Sequence, residues 1–101
     1  MDYPQFDKTI HEQTKLKILT YVSSKHRCTF MELKENLHLT SGNLSIQLKT
    51  LEEKKLITQV KTIEKRKTNT TITITKAGKE SLFTYLEEME HLLSLIKEGI
   101  S

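Results

Sequence analysis

Short hydrogen-bonding side chains occupy most positions between residues 40 and 50 of this 101-residue chain. Two of them, Asn43 and Gln47, are amides four residues apart, and hydroxyl groups and a lysine surround them. An amide donates and accepts at once, so it can pair with the edge of adenine through two hydrogen bonds, and hydroxyl groups pair with several bases. This pattern therefore favours recognition of a polar surface such as the edges of base pairs.

An apolar stripe runs through the same segment. Leu44, Leu48 and Leu51 recur at helical spacing, which predicts a helix over 41–54 that is anchored to a core by these leucines. Gly42 would let the backbone of this helix approach a ligand closely. An ordinary amphipathic helix with a solvated polar face remains the alternative for this segment taken alone.

Two further helices are predicted before this one, over 11–25 and 28–39, because apolar residues recur at helical spacing in each. Thr29 and Glu32 form the capping-box pattern at the start of the second. Thr40 or Ser41 can cap helix 41–54.

The segment after this helix changes period. Residues 56–63 and 68–76 alternate and are rich in β-branched side chains, so they predict a β-hairpin over 57–74 with a polar turn, EKRKTN, at 64–69. Four basic residues and one acidic residue lie between 61 and 69, which makes the tip basic. A solvated charge cluster is the alternative interpretation of this tip.

Two short helices joined by a tight turn form a helix-turn-helix, whose second helix enters the DNA major groove. A basic hairpin that follows is the wing of a winged helix. Lys49 and Lys54 suit phosphates, and Arg66 suits a narrow minor groove. The predicted DNA-binding residues are Thr40, Ser41, Gly42, Asn43, Ser45, Gln47, Lys49, Thr50, Lys54, Lys61, Lys65, Arg66 and Lys67.

The last segment, 76–100, predicts one long helix capped by Thr75, of roughly 37 Å at 1.5 Å per residue. Its apolar residues follow a heptad-type spacing, which favours pairing with a second copy, and an intrachain core is the alternative. The predicted dimerisation residues are Leu82, Leu86, Met89, Leu93, Ile96 and Ile100. Such a dimer would set two recognition helices about one DNA turn apart, roughly 34 Å.

The fold class predicted is therefore mainly α with a small β-hairpin, a winged helix-turn-helix over 1–75 and a dimerisation helix over 76–101 within the same compact domain. Residues 1–75 carry thirteen basic and eight acidic side chains, whereas 76–101 carry three and five. This asymmetry favours a polyanion as the partner of the first part and places the acidic helix away from it.

The segment LTSGNLSIQLKTLEEKKLI, followed by TTITITKAG, resembles the small single-domain winged-helix transcription regulators close to the MarR and ArsR groups. Residues that match the family pattern are Leu39, Thr40, Gly42, Asn43, Leu44, Ser45, Leu48, Leu51, Glu52, Leu56 and Ile57. The resemblance implies a homodimeric regulator, a repressor or an activator, on a roughly palindromic operator. Gln47 replaces the family's usual His, and Lys55 replaces the usual Gly, from which we expect a less sharply capped helix end.

Other chemistries find little support. Cys28 excludes an internal disulfide and is interpreted as a small residue before the second helix, with a redox switch as the alternative. The four His show no metal-ligand spacing, and His11 is expected to pack or cap locally. No nucleotide-binding loop or nucleophile motif is present, so neither catalysis nor a cofactor is expected. No apolar segment suits a signal or a membrane span, and a cytoplasmic protein is expected.

Two alternative functions stay open at this point. A winged helix can serve as a protein-interaction module. The regulator could also respond to a ligand at the dimer interface, in a pocket lined by Phe83, Tyr85 and Met89. The simpler interpretation is that these three residues belong to the core.

Overall fold

The chain folds into four helices and a three-stranded sheet in the computed structural model. The structure describes residues 3–100 apart from the side chain of Ile100. The fold class predicted from the sequence is confirmed. In chain order the elements are α1 (Gln13–Lys25), β1 (Arg27–Thr29), α2 (Phe30–Asn36), α3 (Ser41–Glu53), β2 (Ile57–Glu64), β3 (Lys67–Ile74) and α4 (Lys76–Ile100).

Side chains fix the starts of the first three helices. The carboxylate of Glu12 accepts hydrogen bonds from the first backbone N–H groups of α1, and Thr29 and Glu32 form the predicted capping box of α2. Of the two candidates for the α3 cap, Thr40 is the one used, since its hydroxyl accepts from the N–H of Asn43 at 3.1 Å. Each such cap contributes about 1 kcal/mol to stability.

The three antiparallel strands lie in the order β1-β3-β2. The sequence did not predict β1, where Cys28 pairs with Ile72 of the central strand. Three residues are too few to show an alternation in the sequence. Strand β1 forms because its backbone hydrogen-bonds to the edge of β3.

The hairpin β2–β3 was predicted with the correct range, but its turn is shorter than the predicted 64–69. Lys67, Thr68 and Asn69 pair with residues of β2, so only Lys65 and Arg66 form the turn. Both have positive φ, 48° and 66°, as a two-residue type I′ turn requires. The wing is consequently a regular ladder up to its tip.

The core lies between the helices and the inner face of the sheet. Leu44, Leu48 and Leu51 are fully buried, which confirms their predicted anchoring role. They pack in one cluster with Ile18, Leu19 and Val22 of α1, and with Ile57, Ile72 and Ile74 of the sheet. The polar residues of α3 are thereby left on the other side of the helix.

The start of α4 is tied to the end of α3. The Thr75 hydroxyl donates to the carbonyl oxygen of Lys55 at 2.7 Å and accepts from the N–H of Gly78 at 2.9 Å. A Cβ at Gly78 would clash with the backbone carbonyl of Leu56, so the close approach requires glycine. Within residues 3–100, no helix combines the length and the apolar content that a membrane crossing needs.

Candidate nucleic-acid interface

The outward face of α3 is centred opposite its buried leucines. Gly42, Asn43, Ser45 and Lys49 are exposed there, as the sequence predicted, while Gln47 and Thr50 are half-buried at the edge of this face. Ile46 was not predicted to belong to it, yet its side chain is 67% exposed. Between residues 42 and 50 the face therefore combines short polar groups, one cation and one aliphatic side chain, and the exposed Glu53 follows at its C-terminal end.

The amide of Gln47 is held by two neighbours. Its Oε1 accepts a hydrogen bond from Nζ of Lys15 at 2.6 Å, and its Nε2 donates to Oδ1 of Asn43 at 3.2 Å. Lys15 belongs to α1 and also lies 3.6 Å from a carboxylate oxygen of Glu12. A chain of four polar side chains thus runs from α1 onto α3.

This chain of contacts sets the direction of both amides. The Lys15 ammonium can only donate, so the oxygen of Gln47 faces it and the Gln47 NH₂ group faces Asn43. Asn43 accepts with Oδ1 and keeps its own NH₂ group for an external acceptor. Gln47 keeps one lone pair and one N–H, but a two-bond contact with adenine would share both of its polar atoms with Lys15 and Asn43. The NH₂ group of Asn43 is not engaged in this chain of contacts, so Asn43 is the amide better placed for base contact.

The carboxylate of Glu52 holds the hairpin against α3. Its Oε2 accepts from the backbone N–H of Gln59 at 2.9 Å, and its Oε1 accepts from the side-chain Nε2 of the same residue at 3.3 Å. The sequence showed Glu52 only as a match to the family pattern. In the structure it fixes where the base of the hairpin lies relative to α3.

A cleft between α3 and the hairpin brings the two predicted DNA-contacting elements together. Ser45 and Lys49 line its α3 side, and Lys61, Thr68 and Thr70 line its hairpin side. The lysines contribute two positive charges to this cleft, and the Glu52 carboxylate, which also lines it, accepts hydrogen bonds from Gln59.

The remaining predicted basic residues are solvent-exposed. Lys54 lies at the C-terminal end of α3, and Lys65, Arg66 and Lys67 lie at the hairpin tip. Thr40 and Ser41 lie at the N-terminal end of α3, where the free backbone N–H groups and the helix dipole favour an anion such as a phosphate.

The C-terminal end of α3 differs from the expectation. Lys55 has a φ of 62° and donates to the carbonyl of Glu52 at 2.9 Å, and Leu56 donates to that of Leu51 at 3.0 Å. These two bonds form a complete Schellman motif, so the helix end is sharply capped although a lysine holds the glycine position. The expected loss of capping was wrong.

The predicted dimerisation residues divide into two groups. Leu82 is buried and Met89 packs against the core of the same chain, whereas Leu86, Leu93 and Ile96 are between 42% and 51% exposed. The side chain of Ile100 lies outside the described residues. The exposed members leave an apolar stripe on the part of α4 that extends beyond the core.

Of the three residues of the hypothetical ligand pocket, Tyr85 and Met89 pack in or against the core and Phe83 does not. Tyr85 is buried, with its hydroxyl 2.9 Å from Nδ1 of His11, while Phe83 is 65% exposed, so the interpretation of Phe83 as a core residue is wrong. His11 also stacks on Phe6, with ring centroids 4.9 Å apart. It therefore makes a tertiary contact with α4, beyond the local packing expected.

Cys28 is buried in β1. Burial, together with the nearby negative charge of Glu32, raises the pKa of its thiol to about 11. Because the thiolate is the reactive form, this environment favours the structural interpretation over the redox one. Among residues 3–100, no three His, Cys, Asp or Glu side chains are grouped as metal ligands.

Comparison with known proteins matches this geometry to a family. The model of the winged helix DNA-binding domain matches residues 14–93. The chain belongs to this family. The uncharacterized protein MJ0432 of Methanocaldococcus jannaschii is 35% identical over 85 residues, which are 84% of this chain and 92% of that protein.

Solved structures agree with this assignment. A transcriptional regulator homologue from Pyrococcus horikoshii superposes with a TM-score of 0.82 at 24% identity, covering 87% of each chain. A MarR-like transcriptional regulator from Thermotoga maritima has a TM-score of 0.68 at 26% identity, covering 98% of this chain and 71% of that one. The resemblance to MarR-type winged-helix proteins is thereby confirmed.

The family assignment gives the elements of this winged-helix domain their usual names: α3 is the recognition helix and β2–β3 the wing. Sequence reasoning missed three residues of this interface, Lys15, Ile46 and Glu52. Lys15 and Glu52 act through contacts with residues distant in the chain or in another element, which no local pattern shows. Ile46 does not fit the helical spacing of the buried leucines. An apolar residue outside that stripe was the signal in the sequence that could have identified it.

Proposed function

We propose that this winged-helix protein is a sequence-specific transcription regulator that binds double-stranded DNA as a homodimer. The observation that supports it best is the cleft shared by the recognition helix and the wing, with Lys49 and Lys61 on its two sides. An element that fits the major groove and a basic element that follows the backbone thus adjoin each other. This is a binding function, without catalysis.

Each part of the interface has its own role in this proposal. Asn43 and Ser45 read base edges, with Gln47 orienting Asn43. The lysines and the N-terminal end of the recognition helix bind phosphates, and Arg66 at the tip of the wing enters the minor groove. A regulator of this kind must act in the compartment that contains the DNA, and a cytoplasmic location is proposed with it.

The homodimer is proposed from the exposed apolar stripe on α4. Leu86, Leu93 and Ile96 are spaced by seven and three residues, so they lie on one side of the helix and suit a coiled-coil type of contact with a second copy. A two-fold dimer requires an operator with two similar half-sites about one DNA turn apart. Repression follows if that operator overlaps a promoter.

The test of sequence-specific binding is selection of bound duplexes from a random library, followed by titration of the winner and a scrambled duplex at several salt concentrations. A palindromic winner with a steep salt dependence supports the proposal. Asn43→Ala should weaken binding to the winner by about 1–3 kcal/mol and to scrambled DNA much less. Equal losses on both duplexes would contradict the role of Asn43, and the absence of any enriched sequence would contradict the function.

The test of the dimer is the molar mass in solution, measured by sedimentation. Leu93→Asp places a charge in the apolar stripe and should yield a monomer that binds the palindromic duplex more weakly than the wild-type protein. Ser94→Asp is the matched control, because it adds the same charge at the adjacent exposed position. A monomeric wild-type protein, or equal effects of the two variants, would refute this interface.

A further inference from the structure

Ile46 lies at the centre of the outward face of the recognition helix. The other aliphatic side chains of this helix, Leu44, Leu48 and Leu51, are fully buried, whereas Ile46 is 67% exposed. At 100° per residue it points nearly opposite to these leucines. It therefore points in the direction from which DNA would approach a recognition helix.

Folding gives no reason for an isoleucine at this position. It packs on no part of the core, and a β-branched residue on an exposed helix surface is less favourable than alanine or lysine. One turn earlier, Gly42 has no side chain, and an added Cβ there would meet no atom within 4 Å. The helix surface around Ile46 is therefore open for a partner to come close.

The polar side chains next to Ile46 form hydrogen bonds within the protein, whereas Ile46 can contribute only an apolar contact. The Gln47 amide bonds to Lys15 through its oxygen and to Asn43 through its nitrogen, and the Thr50 hydroxyl donates to the Ile46 carbonyl at 3.3 Å. In the major groove, one of the four bases carries an apolar group, the 5-methyl group of thymine. An aliphatic side chain in that groove gains most by covering this methyl group and removing both from water.

We propose that Ile46 reads thymine, by packing on the 5-methyl group of a T·A pair within each half-site. This inference rests on the proposed DNA-binding function and adds a specificity-determining residue to it. It requires at least one thymine per half-site whose methyl group, rather than its hydrogen-bonding pattern, is recognised.

The test replaces thymines of the selected duplex one at a time by deoxyuridine, which lacks the methyl group and keeps every hydrogen-bonding group. At one position per half-site, the wild-type protein should lose affinity by about fourfold, the effect of one buried methyl group. Ile46→Ala should bind the thymine duplex more weakly and should no longer distinguish thymine from uracil at that position. This variant keeps a folded helix, because alanine is the better helix former and the side chain is exposed.

Ile63→Ala is the matched control, since it removes the same atoms from a side chain that is 77% exposed on the wing. Any affinity change that it causes should be equal on thymine and uracil duplexes, because a wing does not meet the major-groove methyl group. If no uracil substitution matters, or if Ile46→Ala keeps the full thymine preference, the inference is wrong while sequence-specific binding stands. If the wild-type protein selects no sequence at all, the proposed function itself fails.

Discussion

The tip of the wing is where stability and DNA binding should respond in opposite directions to one change. Lys65 and Arg66 both have positive φ, a conformation that costs a residue with a Cβ about 1–2 kcal/mol. Asn and Gly are the preferred pair for this two-residue turn. The double variant Lys65→Asn with Arg66→Gly should relieve this cost and match the turn to its backbone.

We expect the free energy of unfolding to rise by about 1 kcal/mol, less than the full relief for two residues, because glycine also gains freedom in the unfolded chain. In a domain of this size that corresponds to an increase in Tm of about 4–8 °C. The same variant removes two positive charges per protomer. Each charge that neutralises a phosphate contributes about 0.9 to the slope of log K against log salt, so the slope should flatten by nearly two units per protomer.

The assays are thermal unfolding without DNA and titration of the selected and scrambled duplexes at four or more salt concentrations. Affinity should fall on both duplexes, because Lys65 binds a phosphate and the negative potential that attracts Arg66 into the minor groove is present in both. Lys97→Asn is the control, since it removes a positive charge in the last turn of α4. A variant less stable than the wild type would refute the strain argument, and an unchanged salt slope would show that the wing does not contact DNA.

Four further outcomes test individual positions. Lys55→Gly should raise the free energy of unfolding in urea by about 0.5–1 kcal/mol, because the Schellman position has a φ of 62°; a loss of stability would contradict this. Gly78→Ala should lower it by about 1–3 kcal/mol or more through the clash with the Leu56 carbonyl, and unchanged stability would show that the start of α4 can shift at little cost. The Cys28 thiol, with its pKa raised to about 11 by burial, should resist alkylation at pH 8 in the native state and react once urea unfolds the chain. Above pH 9 the unfolded thiol ionises first, so stability should decline towards pH 11 more steeply than in Cys28→Ala.

Local periodicity was enough to predict most of this fold. The leucines of α3 and the alternating isoleucines of β3 repeat within a few residues, so their buried faces were readable without knowledge of what they pack against. The turn of the wing was misjudged because its length depends on pairing: Lys67 looks like a turn residue in the sequence, yet it pairs with Glu64. Strand β1 was missed for the same reason, since pairing with β3 defines it.

The candidate site was predictable as a set of exposed residues and not as a set of contacts. Asn43 and Gln47 appeared equivalent, because both are amides on one helix face. Lys15, on another helix, bonds to Gln47 at 2.6 Å and fixes its amide. Gln47 therefore orients Asn43, and the two amides have different roles. A difference of this kind arises from tertiary packing, which spacing within a single helix does not contain.

The residues with positive φ carry charged or titratable side chains although this backbone conformation is unfavourable for them. Among residues 3–100, the non-glycine residues of this kind are His26, His38, Lys55, Lys65 and Arg66, and none of the glycines has positive φ. Every such position therefore carries a cationic or titratable side chain at a cost of about 1–2 kcal/mol each. His38 and Lys55 flank the recognition helix, and the last two form the wing tip, so four of the five adjoin the proposed DNA contacts. If Lys55→Gly stabilises the protein and also flattens the salt slope, the lysine is retained for its charge near DNA; if it stabilises the protein with the slope unchanged, only the wing tip trades stability for binding.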